Sequence, residues 1–292
     1  MNVVDAGPRL ETSQVVAPPR KPYVTIRPPS RWVPIKIREL WHFRDLLTTF
    51  AMRDVKLRYR QTLLGAAWVV LQPLAGAGIL SVVFGSVAHL SSEGVPYFLF
   101  TYISFLAWNV FSSTLTKSSG SLILGSALIS KIYFPRLILP LSVSFSTLLD
   151  FAVALAMGVG LMFLNGVSPG AKVLLFPVWF VLLLLLALGA GLIAAALNVS
   201  YRDIGYMLPV AVQLLLFASP VAYAVSSVPQ NLQTLYLLNP LSGLLEAFRW
   251  SMLGVGELRV AAVIYSAVFS IVLFVSGAYA FRSLERKFAD VI

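Results

Sequence analysis

Val173 to Tyr201 reads VLLFPVWFVLLLLLALGAGLIAAALNVSY, 29 residues without an Asp, Glu, Lys or Arg. A bilayer core about 30 Å thick is crossed by roughly 20 helical residues, so this stretch is long enough to span a membrane. It has companions. Gln61 to Ser92 is free of such charges for 32 residues, Gly94 to Thr116 for 23, Phe151 to Ala171 for 21, Ile204 to Leu245 for 42 and Val260 to Phe281 for 22. The chain of 292 residues is 58% hydrophobic and only 12% charged, and its mean hydropathy is +0.84. Those values exclude a large water-soluble core. A transmembrane β-barrel is excluded too, because the runs are continuously apolar and do not alternate inward polar with outward apolar residues. The expected fold class is an all-α integral membrane protein.

Six spans fit, at about residues 64–88, 97–116, 137–164, 172–197, 207–225 and 260–281. Basic residues orient them. With the N-terminus in the cytoplasm, the inner segments hold twelve Lys and Arg before Gln61, then Lys117, Lys131, Arg136, Arg202, Arg282, Arg286 and Lys287. The outer segments hold Lys172, Arg249 and Arg259. Nineteen against three predicts both termini inside. The net charge of +10 could suggest nucleic acid. Its concentration before Gln61, in a chain this apolar, instead suits anionic lipid head groups and an acidic partner surface.

Ile204 to Leu245 is too long for one span, and Pro209, Pro220, Pro229 and Pro240 divide it. The reading is one span followed by a half-inserted outer piece, in which Asn239 and Pro240 open a short helix. Glu246 and Arg249 can pair at i, i+3 on that helix. The alternative is a plain extracellular loop, for which Leu235 to Leu245 is too apolar.

Residues 1–35 lack an apolar signal-peptide core and carry seven of the 17 prolines, so they read as an extended, disordered, basic cytoplasmic tail. Within 36–60, Arg38, His42, Asp45, Thr49, Arg53, Lys56 and Arg60 recur at steps of three and four and share one helical face. Leu40, Phe43, Leu47, Phe50 and Ala51 form the opposite, apolar face. An amphipathic helix lying in the membrane interface follows, its cations facing head groups or a protein partner.

Residues 117–136 form a second cytoplasmic feature. Leu122 to Ile129 reads as a small apolar helix, closed by Lys131 and Arg136, in which Leu122, Ile123, Leu128 and Ile129 need a cover. The competing reading is a cytoplasmic extension of span two. Gly120 and Gly125 have the outer spacing of a phosphate-binding loop, but Ser126 stands where that loop needs lysine. Nucleotide hydrolysis by that route is therefore excluded.

Catalytic constellations are scarce. There is no cysteine, and His42 with His89 makes no helical zinc pair, so no metal site is expected. Asp150 is the sole acid deep in a predicted span. With no intramembrane Lys, Arg or His assigned beside it, a hydrogen bond to another helix is expected rather than a proton relay. His89 with Glu93 would need an unidentified nucleophile to hydrolyse anything. On span two, Tyr97, Thr101, Ser104, Trp108 and Phe111 share one helical face. Such an aromatic and hydroxyl stripe suits sugars, whose ring faces stack on aromatics while their hydroxyls exchange hydrogen bonds. Interfacial anchoring and ordinary packing would explain the same residues. Ala187, Gly191 and Ala195 permit close helix approach, within or between protomers.

Five segments in this order carry a family likeness: RDVKLRYRQTLLGAAWVVLQPL from Arg53, LISKIYFPRLILPL from Leu128, NVSYRDI from Asn198, SPVAY from Ser219 and NPLSGLLEAFRWSML from Asn239. Over about residues 38–288 the chain resembles the transmembrane subunit of type-2 ABC exporters for polysaccharides, which move lipid-linked O-antigen, teichoic acid, capsule or galactan. The resemblance implies a homodimer of six-span subunits in the bacterial cytoplasmic membrane, bound to two nucleotide-binding subunits that carry ATP and Mg. No cofactor is expected in this chain itself. It implies that the helix bearing Arg53, Lys56 and Arg60 cradles the ATPase, and that Leu128, Ile129 and Lys131 belong to a coupling helix. It further implies outer gate helices within 230–256, including Asn239, Pro240, Glu246 and Arg249, and an aromatic lining of the glycan channel. Tyr97, Trp108 and Phe111, with Thr101 and Ser104 between them, are placed in that lining by helical phase. The Pro-rich tail lies outside the likeness. A permease for drugs or lipids, and an intramembrane enzyme of polysaccharide assembly, are the competing readings; the second lacks clustered acids or histidines.

Overall fold

The computed structural model describes residues 37–59, 67–129 and 131–285. The expected tail at 1–35, and with it Arg60, Arg286 and Lys287, lies outside the described residues. Every described element is helical. Helix α1 (Ile37–His42) and α2 (Arg44–Tyr59) precede α3 (Ala67–Leu80), which continues as π-helix over Ser81–Val87. Next come α4 (Tyr97–Leu124), α5 (Ser126–Ile129), α6 (Ile138–Leu164) and α7 (Phe176–Ser200). Helices α8 (Ile204–Phe217), α9 (Gln230–Leu237), α10 (Pro240–Leu253) and α11 (Val260–Leu284) complete the chain.

Among the described residues, five stretches are long and apolar enough to cross a membrane: Ala67–Val87, Tyr97–Leu124, Ile138–Leu164, Ala171–Ser200 and Val260–Leu284. The expected span at 207–225 is a shorter apolar helix, Ile204–Phe217. Its 14 residues rise only about 21 Å. The helix stops because Pro220 follows so closely: it lacks a donor and disfavours helix at Ser219. Asn239 holds that stop, its Nδ2 donating to Ala218 O at 3.2 Å and to Ser219 Oγ at 2.9 Å.

The bundle is organised around α4 and α7. Their most apolar windows are 72% and 61% buried, against 17%, 28% and 22% for the spans built on α3, α6 and α11. In lipid, helices associate through close fit rather than through burial from water, so small residues mark the tightest crossings. A Cβ on Gly277 would lie 2.3 Å from Gly189 O, so α7 and α11 touch backbone to backbone. A Cβ on Gly191 would lie 2.7 Å from Ser118 Cβ on α4. The small residues of span four therefore serve contacts inside the protomer. Phe151 of α6 stacks on Phe180 of α7 at 4.5 Å and meets Phe248 of α10 at 6.1 Å, joining three helices in one aromatic cluster.

A separate apolar cluster closes the other end of α4. Phe50 and Ala51 of α2 are buried, and the Phe50 ring meets Phe134 edge-on at 5.5 Å. Leu122, Leu137, Ile138 and Phe281 belong to the same cluster. The apolar face of α2 thus packs on the protein's own helix ends, where a membrane interface was expected. The reason is Phe134 and Leu137, whose apolar side chains supply a surface that the periodicity of α2 alone does not reveal. Helix α4 also runs eight residues past the expected end at Thr116, and Leu122 on its last turn is fully buried instead of awaiting a cover. Gly125 caps its end, and a side chain there has no room, since a Cβ would lie 2.6 Å from Leu139 Cδ1 and 3.0 Å from Ser121 O.

Extending α4 corrects a further expectation. Lys117 lies within the helix, and its Nζ sits 3.3 Å from Asp150 Oδ2 on α6. Asp150 therefore has a cation beside it, which the sequence does not show because the charge at Lys117 ends the uncharged run while the helix continues.

Candidate functional site

The first candidate region gathers where α10 meets the N-terminal half of α4. Asn239 caps α10, its Oδ1 accepting from Leu241 N at 3.1 Å, and Pro240 occupies the first turn, where no amide donor is needed. Gly254 at φ +73° ends the helix in the left-handed conformation that glycine tolerates. Between these caps α10 is buried on nearly every side, and Arg249 is among the largest fully buried side chains.

A buried guanidinium needs partners, because an unpaired one costs several kcal/mol. Arg249 has four. Nη1 donates to Ser104 Oγ at 3.1 Å and to Pro220 O at 3.2 Å, Nη2 lies 3.8 Å from Glu246 Oε1, and the guanidinium carbon sits 4.2 Å from the centre of the Phe100 ring. Glu246 Oε1 also accepts from Val225 N at 3.0 Å. Burial pushes the Glu246 carboxyl above its ordinary range, opposed by the Arg249 charge and the Val225 N–H. The i, i+3 pair therefore meets, but within the protein rather than on a solvated face. Arg249 ties together α4, α10 and the Ser219 to Tyr223 turn.

The stripe on α4 faces this same interior. Thr101, Ser104, Trp108 and Phe111 are buried inside the protomer, while Tyr97 is half-buried and donates to Ala222 O at 2.5 Å. Trp108 and Phe111 meet each other at 5.7 Å. Sequence periodicity placed these five on one face, and they are on one face. It could not say which neighbour that face meets.

At the opposite end of α4, the cationic face of α2 is exposed: Arg53 and Lys56 face outward, and Arg53 pairs with Asp54 at 2.8 Å. Leu128 and Ile129 on α5 are half-buried against the second apolar cluster, and Lys131 is exposed. Around α5 the uncovered apolar side chains include Leu124 at 87%, Tyr133 at 80%, Ile132 at 54% and Ile123 at 45% exposure. Sequence reasoning found Ile123 and missed the other three, although IYF at 132–134 signals an apolar turn. Elsewhere, His89 is exposed and Glu93 accepts from Ser226 Oγ at 3.4 Å. Among the described residues no group of acids or histidines could hold a metal.

An all-helical, multi-span bundle with a packed helical platform at one end and two short helices at the other is the architecture of a polytopic membrane permease. The chain belongs to the ABC-2 type transporter family, whose pattern matches residues 45–253. It is similar to the O-antigen export system permease protein RfbA of Myxococcus xanthus, at 29% identity across 88% of this chain and 98% of that protein. RfbA of Klebsiella pneumoniae is 28% identical over 87% of this chain and 97% of its own length. The polysialic acid transport protein KpsM of Escherichia coli is 23% identical over 80% and 92% respectively.

Proposed function

We propose that this chain is the membrane subunit of an ATP-driven exporter that carries a lipid-linked polysaccharide out of the bacterial cytoplasm, two copies forming the glycan channel. The observation that carries this reading is the near full-length likeness to O-antigen export permeases. The missing phosphate-loop lysine agrees with it, since the ATP and Mg would belong to two separate ATPase subunits and this chain would perform no catalysis. Both termini face the cytoplasm, as the distribution of Lys and Arg supports. The exposed Arg53 and Lys56, with Leu128, Ile129, Lys131, Ile132 and Tyr133, form the ATPase-docking surface. Arg60 completes the cationic row by sequence.

On this reading α9 and α10 are outer gate helices, with Asn239 and Pro240 setting the start of α10 and Glu246 with Arg249 locking it to α4. ATP-driven closure of the partner pushes on α2 and α5 and moves the spans as rigid bodies, which requires that the partner bind the two states with different free energies. Tyr97, Thr101, Ser104, Trp108 and Phe111 meet the glycan in the state in which α10 has moved off α4. Co-purification with the ATPase subunit, followed by mass determination, tests the assembly. A two-plus-two complex is expected, and a stable chain that binds no ATPase and alters a glycolipid by itself would favour an enzyme instead.

A further inference from the structure

A polar cleft of about 50 Å³ opens between α3, α4 and α6. Among its lining residues are Gln72, Asn109, Ser113, Thr147 and Asp150. Successive helical residues turn by about 100°, so Asn109, Ser113 and Lys117 lie on the face of α4 roughly opposite the Tyr97 to Phe111 stripe. Asn109 is twelve residues into α4, about 18 Å from its Tyr97 end, and so falls near the middle of the membrane. Polar side chains at that depth are costly unless water or a polar ligand meets them. The Asn109 amide and the Ser113 hydroxyl find no hydrogen-bond partner among the described residues. The Lys117 and Asp150 side chains keep 33% and 17% of their exposure, so the cleft is not sealed.

Resting on the export reading above, we infer that this cleft is a hydroxyl-binding subsite of the glycan path, with Asn109 and Ser113 as its central groups and Gln72 at its rim. The chemistry fits a neutral, hydroxyl-rich chain. An amide offers a donor and an acceptor side by side, and a hydroxyl offers both at once, which is what a sugar hydroxyl exchanges in turn. The volume admits one or two waters or the hydroxyl arm of a sugar, and it is too small for a ring. The glycan is therefore held by its edge, through few and replaceable hydrogen bonds. Passage needs contacts strong enough to admit the chain and weak enough to release it.

The chain contains no cysteine, so single introduced thiols report without a background. Ser113→Cys and Asn109→Cys, each assembled with the ATPase subunit in lipid vesicles, are reacted with a small hydrophilic methanethiosulfonate in the presence and absence of lipid-linked polysaccharide. Both thiols should react, and glycan should slow the reaction at least several-fold. A thiol at Leu183, fully buried within α7, should react far more slowly. Failure of both thiols to react, or equal rates with and without glycan while the cysteine-free protein answers glycan with faster ATP turnover, overturns the cleft alone. If the cysteine-free protein gives no response to glycan, the export reading fails and this inference fails with it.

Discussion

Arg249 on α10 and Ser104 on α4 are joined by a buried hydrogen bond of 3.1 Å. The two residues lie 145 apart in sequence, and the same guanidinium reaches Pro220 O at 3.2 Å. One side chain thus fixes the short α10 against the most buried of the long spans. Its removal has a definite expected cost. Arg249→Met strips Glu246 of its partner and should destabilise the protein by about 3–5 kcal/mol. Arg249→Lys should restore little, because an ammonium cannot make the forked contacts or stack on Phe100 in the same way. Pairing Arg249→Met with Glu246→Gln should recover part of the loss. Thermal unfolding of the purified variants in detergent checks all three, and equal midpoints for the wild type and Arg249→Met would remove Arg249 from this role.

The α7 to α11 crossing has no room for a side chain. With Gly189 O only 2.3 Å from a Cβ on Gly277, even Gly277→Ala must push the helices apart, and overpacking of this kind typically costs about 1–3 kcal/mol. Gly277→Ala should lower the unfolding midpoint, and Gly277→Leu should prevent recovery of a monodisperse protein. Gly160, where a Cβ meets nothing within 4 Å, is the control: Gly160→Ala adds helix propensity without a clash and should hold the midpoint or raise it slightly.

Docking of the ATPase should depend on the uncovered apolar side chains beside α5. Tyr133→Asp and Ile132→Asp are expected to lower capture of the ATPase subunit at least several-fold while leaving the detergent-purified chain folded, since both side chains are more than half exposed. Leu128→Asp or Ile129→Asp should uncouple ATP turnover from export. Capture and export both equal to wild type in all four variants would place the docking surface elsewhere.

Tyr97 is tied to the Ser219 to Tyr223 turn by its hydroxyl, which donates to Ala222 O at 2.5 Å. Tyr97→Phe should cost about 0.5–1.5 kcal/mol, the net worth of one hydrogen bond. Unfolding in a denaturant series compares it with the wild type. A change far above that range would mean the ring moves as well.

The spans were legible because uncharged length is a direct physical requirement of the bilayer. Val173 to Tyr201 could be nothing else. The faces of α2 and of α4 were legible for the same kind of reason, since helical phase follows from spacing alone. What lay beyond reach was the partner of each face. Phe50 meets Phe134, and Ser104 meets Arg249, across separations that no local pattern encodes. Helix ends are the other loss: a charge ends an uncharged run but not a helix, so α4 continues to Leu124 and brings Lys117 to Asp150. The 14-residue length of α8 follows from Pro220, which the sequence marks as a break without showing how far upstream the helix stops.

The central claim is that this chain conducts a lipid-linked polysaccharide under the drive of a separate ATPase. The most direct test reconstitutes both proteins in sealed vesicles loaded with lipid-linked polysaccharide and measures how much glycan becomes accessible on the opposite face, with and without ATP. ATP-dependent appearance of intact glycan, abolished when the ATPase subunit is omitted, is the predicted result. Glycan that stays where it was loaded while small amphiphiles stimulate ATP turnover would contradict the account and identify a permease for another cargo.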